Sequence, residues 1–232
     1  MELLGRTLGQ QYQLVELISQ SDKNLVYKGF QPTENRYVAV KVLSPAKSFD
    51  HVAVQQFQQE RQLIAGLSHP NILPVFDYGR QDEILYYVTR FVEGGVTLKD
   101  KLPLYHAPHR ARPVIHALAD ALDYVHGQNL LHGNLKPANI LIDENGEPLL
   151  TDFGAFQHAG AASETSPYQS PEQAQSGPVD ARTDVYALGV LLYHMLIGEP
   201  PTPGAIPSPR LKRPDLPIGV EKVILKAMAQ LP

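Results

Sequence analysis

The sequence contains no cysteine, which excludes a disulfide framework and any thiolate metal site. A chain without thiols suits a reducing compartment. It has no apolar run approaching the roughly 18 residues that a membrane-spanning helix needs. Its first residues, MELLGRTLGQQYQL, lack a basic stretch leading into an apolar one, so they do not read as a secretory signal. Strong charge of either sign is also missing: 20 Lys and Arg stand against 24 Asp and Glu, a net −4. That balance gives no electrostatic basis for binding nucleic acid or an anionic membrane surface. The expectation is a cytoplasmic protein with no nucleic-acid partner and no membrane segment. What is present is an ordinary globular composition, 43% hydrophobic and 19% charged over 232 residues. That is enough chain for one large domain or two small lobes.

The first third is β-rich. YQLVELIS and NLVYKGF are short strand-like runs around the polar tip QSDKN. RYVAVKVL alternates Val38, Val40 and Val42 against Ala39, Lys41 and Leu43, the period of a strand with one buried face. Residues 51–68 change to helical spacing, with Val54, Phe57 and Ile64 on one side and Glu60 near its edge. ILYYVTRFV predicts a further strand, and Gly94-Gly95 marks a lobe boundary after it. Beyond that point the pattern is helical. Ile115, Leu118, Leu122 and Val125 recur at intervals of 3, 4 and 3, an amphipathic helix. DVYALGVLLYHMLIG is apolar on every face and predicts a central buried helix. Residues 200–217 hold seven prolines and should be extended or turn-like. Val220, Val223, Ile224, Ala227 and Met228 give a last helix. Residues 1–11 read as an N-terminal tail, 12–93 as a β-rich lobe and 94–232 as a mainly helical lobe.

One stretch stands apart. NLLHGNLKPANILID crowds His132, Asn134, Lys136 and Asn139 between two apolar runs, and its polar loop contains no carboxylate. Taken alone, it fits either a site or a loop whose Asn side chains cap local backbone groups. Together with the β-rich lobe, the Gly-Gly hinge and the helical lobe, it resembles a protein kinase domain. The similarity is strongest to the bacterial Ser/Thr (eukaryotic-like) branch. The fold so implied is α+β and two-lobed, a β-rich N-lobe and a mainly helical C-lobe over residues 1–232, with the C-lobe cut short at its end. Glu172 in SPE would pair with an Arg beyond the last helix, and the sequence stops at Pro232 ahead of any such Arg.

Residue by residue, HGNLKPAN lies on the family's H-R-D-L-K-x-x-N loop, with His132, Leu135, Lys136 and Asn139 matching. Gly133 replaces the Arg, and Asn134 replaces the Asp that would accept the substrate hydroxyl's proton. An amide can hold a hydroxyl but cannot take its proton, and general-base catalysis is typically worth ~10²–10⁴ in rate. LLTDFG supplies Asp152 at the position of the family's Mg²⁺-chelating Asp, and Asn139 falls where the second Mg²⁺ ligand belongs. Lys41 matches the strand lysine that holds the α- and β-phosphates, and Glu60 the helix glutamate that pairs with it. The glycine-rich loop is absent. After Ile18, its three glycine positions are taken by Ser19, Ser21 and Asn24, with Lys23 at the tip. Serine's Cβ crowds a close backbone approach to phosphate. Val26, Ala39 and Leu141 match the residues that sandwich adenine, Thr89 falls at the gatekeeper position, and Arg90, Phe91 and Val92 form the hinge. Ile64, Val75, His132 and Phe153 match the packing column of active kinases, and Asp184 the aspartate that anchors the catalytic loop.

Only 15 residues separate Gly154 from SPE at 170–172, a short activation segment. Ser163, Thr165 and Ser166 lie within it. With Gly133 in place of the arginine, the usual phosphate-ordered switch is missing. The resemblance implies ATP and Mg²⁺ as cofactors, met by a weakened phosphate loop, and a protein as partner. The departures favour a pseudokinase, that is, a nucleotide-binding-competent or scaffold signalling module with impaired phosphoryl transfer. The retained Lys41, Glu60, Asn139 and Asp152 favour the alternative, a weakly active ATP- and Mg-dependent Ser/Thr protein kinase.

Overall fold

The computed structural model describes residues 3–21, 24–43, 62, 64–153, 166–202 and 206–229. They form two units, Met1–Ser68 with Leu73–Glu93, and His69–Ile72 with Gly94–Pro232. Val54, Phe57, Glu60, Lys23, Gly154, Ser163 and Thr165 lie outside the described residues.

The first unit is built on one antiparallel sheet. Its strands are β1 (Thr7–Leu8), β2 (Tyr12–Gln20), β3 (Asn24–Gln31), β4 (Arg36–Leu43), β5 (Val75–Gln81) and β6 (Ile84–Arg90), in the order β1-β2-β3-β4-β6-β5. The alternation in β4 sets its orientation. Val38, Val40 and Val42 are buried with Tyr27, Tyr86 and Val88, while Ala39 and Lys41 point to the opposite face. Strand β5 carries no such signal: VFDYGRQ mixes polar residues with a glycine, and it is held by its pairing with β6.

Residues 3–11 do not form a tail. Leu3 and Leu8 are 1% and 0% exposed and join Tyr12 and Leu14 in the core. Backbone bonds from Gly5 N to Leu14 O and from Leu14 N to Arg6 O, both 2.9 Å, fasten the segment to β2. Each leucine contributes roughly 1.5–3 kcal/mol by leaving water, which together with the backbone bonds to β2 offsets the entropy of ordering a stretch with no period of its own.

The second unit begins with β7 (Val96–Thr97), α1 (Leu98–Lys101) and α2 (Pro108–Gly127). There follow β8 (Ile140–Ile142), β9 (Pro148–Leu150), α3 (Pro171–Ala174), α4 (Ala181–Ile197), α5 (Pro209–Lys212) and α6 (Ile218–Ala227). Strands β7, β8 and β9 make a small sheet in that order. Helix α2 buries Ala111, Val114, Leu118, Ala121, Leu122 and Val125, with Ile115 at the edge of the stripe. The all-round apolar sequence of α4 is explained by its burial, which includes Thr183, Asp184, Tyr193 and Met195. Asp180 caps its first turn by accepting from Arg182 N at 2.8 Å, and Gly198 ends it at φ 93°, a left-handed conformation. Gly189 lets α4 approach α6: a Cβ there would stand 2.8 Å from that of Ala227.

The proline-rich stretch differs from expectation in one respect. Pro209 opens the short helix α5, because proline fits a first helical turn whose N–H needs no partner. Arg213 then holds the segment in place, donating from Nη1 to His106 O at 2.7 Å and to Leu196 O at 3.0 Å.

Candidate functional site

In the second unit, the polar loop is fixed by one carboxylate. Asp184 on α4 is 0% exposed. Its Oδ1 accepts from Gly133 N at 2.7 Å, and its Oδ2 accepts from His132 N at 2.9 Å and pairs with His126 Nε2 at 2.8 Å. Burial alone would raise the Asp184 pKa, but the bonds from His126, Gly133 and His132, with the nearby His132 ring, bring it below its ordinary value. His132 is itself buried, and burial pushes its pKa down. Its Nε2 faces Thr151 O at 3.0 Å while Nδ1 accepts from Asn134 N, so the neutral ring carries its proton on Nε2. The ring packs on Phe153 with centroids 4.6 Å apart.

These contacts deliver Asn134, Asn139 and Asp152 to one place. Lys136 leads into a single tight turn, Pro137–Asn139, closed by Asn139 N to Lys136 O at 2.9 Å. Thr151 N donates to Asn139 O at 3.0 Å, which sets Asp152 beside the turn. Asn139 spends its amide donor on Asn134 O at 2.7 Å, so its remaining side-chain group is a carbonyl oxygen. Asp152 adopts φ 58°, a left-handed backbone that Asp tolerates better than most residues. Among the described residues no cluster of three or more His, Cys, Asp or Glu could cage a metal. One carboxylate and one amide oxygen nevertheless fit Mg²⁺, which keeps several waters and takes its other ligands from phosphates. Asn134 Nδ2 lies 3.4 Å from Asp152 O, a long contact that a carboxylate could not make.

In the first unit, the face opposite the valines carries the other expected residues in cross-strand rows. Ser19 pairs with Val26, Val26 with Lys41, and Lys41 with Tyr87. The next row runs from Lys28 to Ala39 to Thr89. Lys41 Nζ stands 5.8 Å from the centroid of the Tyr87 ring. Thr89 is buried and donates to Arg90 O at 3.3 Å; Phe91 follows directly after β6. Ile18 is exposed within the irregularity between Leu17 and Ser19. At the hairpin tip, Ser21 N donates to Asn24 O at 2.9 Å, and Asn24 N to Ser21 Oγ at 3.1 Å. None of Ser19, Ser21 and Asn24 takes the positive φ that glycine would make available. The serine hydroxyl and the Asn24 amide are thus engaged in closing the turn.

Leu141 sits in the middle of β8, opposite Thr97 and Leu149 in the second unit. Glu60 lies outside the described residues. Two residues absent from the sequence reading support the loop. His126 near the end of α2 binds Asp184, and Gln173 on α3 donates from Nε2 to Gly133 O at 2.9 Å. Neither follows a periodic pattern, so no spacing could have marked them. Glu172 accepts from Thr183 Oγ1 at 2.7 Å. Burial works against the Glu172 charge, yet this bond and its neighbours hold its pKa below the usual value.

Comparison with known proteins adds to this geometry. Residues 12–213 match the family model of the protein kinase domain. The chain is 32% identical to the serine/threonine-protein kinase PrkC of Bacillus subtilis, over 99% of this chain and 39% of that protein. It is 34% identical to the serine/threonine-protein kinase PknB of Mycolicibacterium smegmatis, over 97% of this chain and 40% of that one. It therefore spans about two fifths of the length of these relatives. Among solved structures, it resembles the Mycobacterium tuberculosis PknI kinase domain with a TM-score of 0.83 at 32% identity, over 98% of this chain and 91% of that one.

Proposed function

The chain belongs to the protein kinase family, and we propose that it binds Mg–ATP and transfers phosphate slowly to Ser or Thr of a protein substrate. The observation that carries this reading is the bond from Thr151 N to Asn139 O, which sets Asp152 beside Asn139 next to a loop whose backbone Asp184 clamps. Such an arrangement orders two oxygen ligands at the cost of burying a charge, and metal binding supplies its reason. Within the first unit, Val26, Ala39 and Thr89 suit a base and Lys41 suits phosphates; within the second, Leu141 suits a base, and Asn139 and Asp152 would hold Mg²⁺. Bound Mg²⁺ would neutralise charge on the phosphates, and the chain's own residues do the rest. Asn134 holds the acceptor hydroxyl without taking its proton, which would pass to an oxygen of the transferred phosphoryl group as the hydroxyl oxygen bonds to phosphorus and ADP leaves; Lys136 lies two residues further along the same loop. Phosphoryl transfer leans on positioning and electrostatics, so losing the base slows it without ending it. The names of the relatives support this active reading over the pseudokinase expected from the motif losses.

Asn134 also favours a second reading, in which nucleotide binding tunes a scaffold that performs no transfer. Radiolabelled ATP offered with a Ser/Thr-rich acceptor protein separates the two. Slow, Mg-dependent labelling of acceptor hydroxyls that disappears in Asp152→Ala supports the enzyme. Intact ATP binding with no labelling above the Asp152→Ala background would leave the scaffold. Asn134→Asp should raise transfer by less than the ~10²–10⁴ that a general base typically contributes, because the tip at Ser21 and Asn24 stays closed.

A further inference from the structure

The first unit carries a second lysine on the same sheet face as Lys41. Lys28 shares a cross-strand row with Ala39 and Thr89. Glu16 is its cross-strand partner on β2, but among the described residues Lys28 forms no ion pair with a carboxylate. Its ammonium instead lies between two rings, 4.3 Å from the Tyr37 centroid and 4.7 Å from the Phe91 centroid. Both distances are inside the roughly 6 Å over which a cation is attracted to a ring face. Phe30 extends the group, with its centroid 5.4 Å from that of Tyr37, and Tyr37 lies 6.5 Å from Phe91.

The placement of this group matters more than its strength. Phe91 follows the last residue of β6 and lies three residues ahead of Gly94, which has φ 61°. Beyond Arg90 the β6 ladder ends, so the segment has lost its sheet hydrogen bonds where an adenine edge would be read. We infer that Lys28 is a positioning residue: by bridging Tyr37 on β4 and Phe91, it holds the backbone at 91–92 in register with the base-binding face. This inference extends the nucleotide reading above to how the base is distinguished from the phosphates. A contact of this kind serves the adenine and not the triphosphate, which belongs to Lys41 one row away.

The test compares wild type, Lys28→Met and Lys28→Arg in two arms. In the first, NMR order parameters of the backbone amides are measured on the protein without nucleotide. Lys28→Met should lower them at Phe91 and Val92 from about 0.85 to below about 0.6, Lys28→Arg should restore them, and the amides of β4 and β6 should not change. Unchanged order parameters at 91–92 in Lys28→Met, or an equal fall throughout the sheet, would overturn the inference, whether or not the protein binds nucleotide. In the second arm, affinities for ATP and for inorganic tripolyphosphate are measured in a wild type shown to bind both. Lys28→Met should weaken ATP about fivefold and leave tripolyphosphate as it was; equal weakening of both would also overturn it. A wild type that binds no ATP counts against the proposed function, and the order-parameter arm then decides the clamp by itself.

Discussion

Replacing Asp184 with Asn removes the charge that organises the polar loop while keeping the side chain's shape. The carboxylate accepts at both oxygens, from Gly133 N on one and from His132 N and His126 Nε2 on the other. An amide has one acceptor oxygen. Whichever way it turns, its NH₂ faces a backbone N–H, and one buried donor loses its partner. A hydrogen bond to a charged group contributes about 1.5–3 kcal/mol, and an unsatisfied buried donor costs about 1–3 kcal/mol. These overlap, because the lost bond and the orphaned donor are the same contact, so about 3 kcal/mol is the expected net loss. For a chain of this length each kcal/mol moves the melting temperature by roughly 2–4 °C. Scanning calorimetry should therefore show a fall of about 6–12 °C in Asp184→Asn. His126→Ala, which removes one side-chain contact and leaves both backbone donors satisfied, should cost well under half as much. A fall below about 2 °C in Asp184→Asn would refute the reasoning, since the loop would then be holding itself.

Leu8→Ala should destabilise the first unit by about 2–5 kcal/mol, because it opens a cavity under β1; a denaturant midpoint equal to wild type would return residues 3–11 to the status of a tail. Gly189→Val should cost about 1–3 kcal/mol by pushing α4 from α6, read as a lower melting temperature with unchanged ATP affinity per folded molecule. The folded pKa of Asp184 lies below its unfolded value, so its stabilisation is present above the unfolded value, near 3.8, and is lost as pH falls through the folded one. The stability gap between wild type and Asp184→Asn should accordingly hold above about pH 5 and shrink as pH falls from there to about pH 2. A gap that stayed constant over that range would mean the carboxylate gains nothing from its partners.

Legibility in the sequence followed the origin of each feature. The alternation of β4 and the apolar stripe of α2 are periodic, so Val38, Val40 and Val42 and the buried Leu118, Leu122 and Val125 could be read in place, while Ala111, Val114 and Ala121 complete the α2 stripe and Ile115 falls at its edge. Motif matching carried Asp184, whose two backbone partners are the residues the resemblance implied. Leu3 and Leu8 went unread because two isolated leucines among glycines and polar residues have no period, and only a partner strand makes them core. Strand β5 depends in the same way on β6. His126, Gln173 and Lys28 make contacts set by tertiary packing, a hydrogen bond to the loop or its anchor in two cases and a pair of rings in the third. The replacement of the glycines by Ser21 and Asn24 was visible as a loss. Their mutual hydrogen bonds, which close the tip, were not.

The proposal on which the rest depends is Mg–ATP binding, with a role for Lys41 in the first unit and for Asp152 in the second. Its most direct test is a thermal-shift titration with ATP, with and without Mg²⁺, on wild type, Lys41→Ala and Asp152→Ala. Ligand that binds only the folded chain raises its stability by RT ln(1 + [L]/Kd), about 2.7 kcal/mol at a hundredfold excess over Kd. The account predicts a rise in melting temperature that requires Mg²⁺ in wild type and is lost in both variants. No rise at millimolar ATP, or an equal rise in Lys41→Ala, would contradict it.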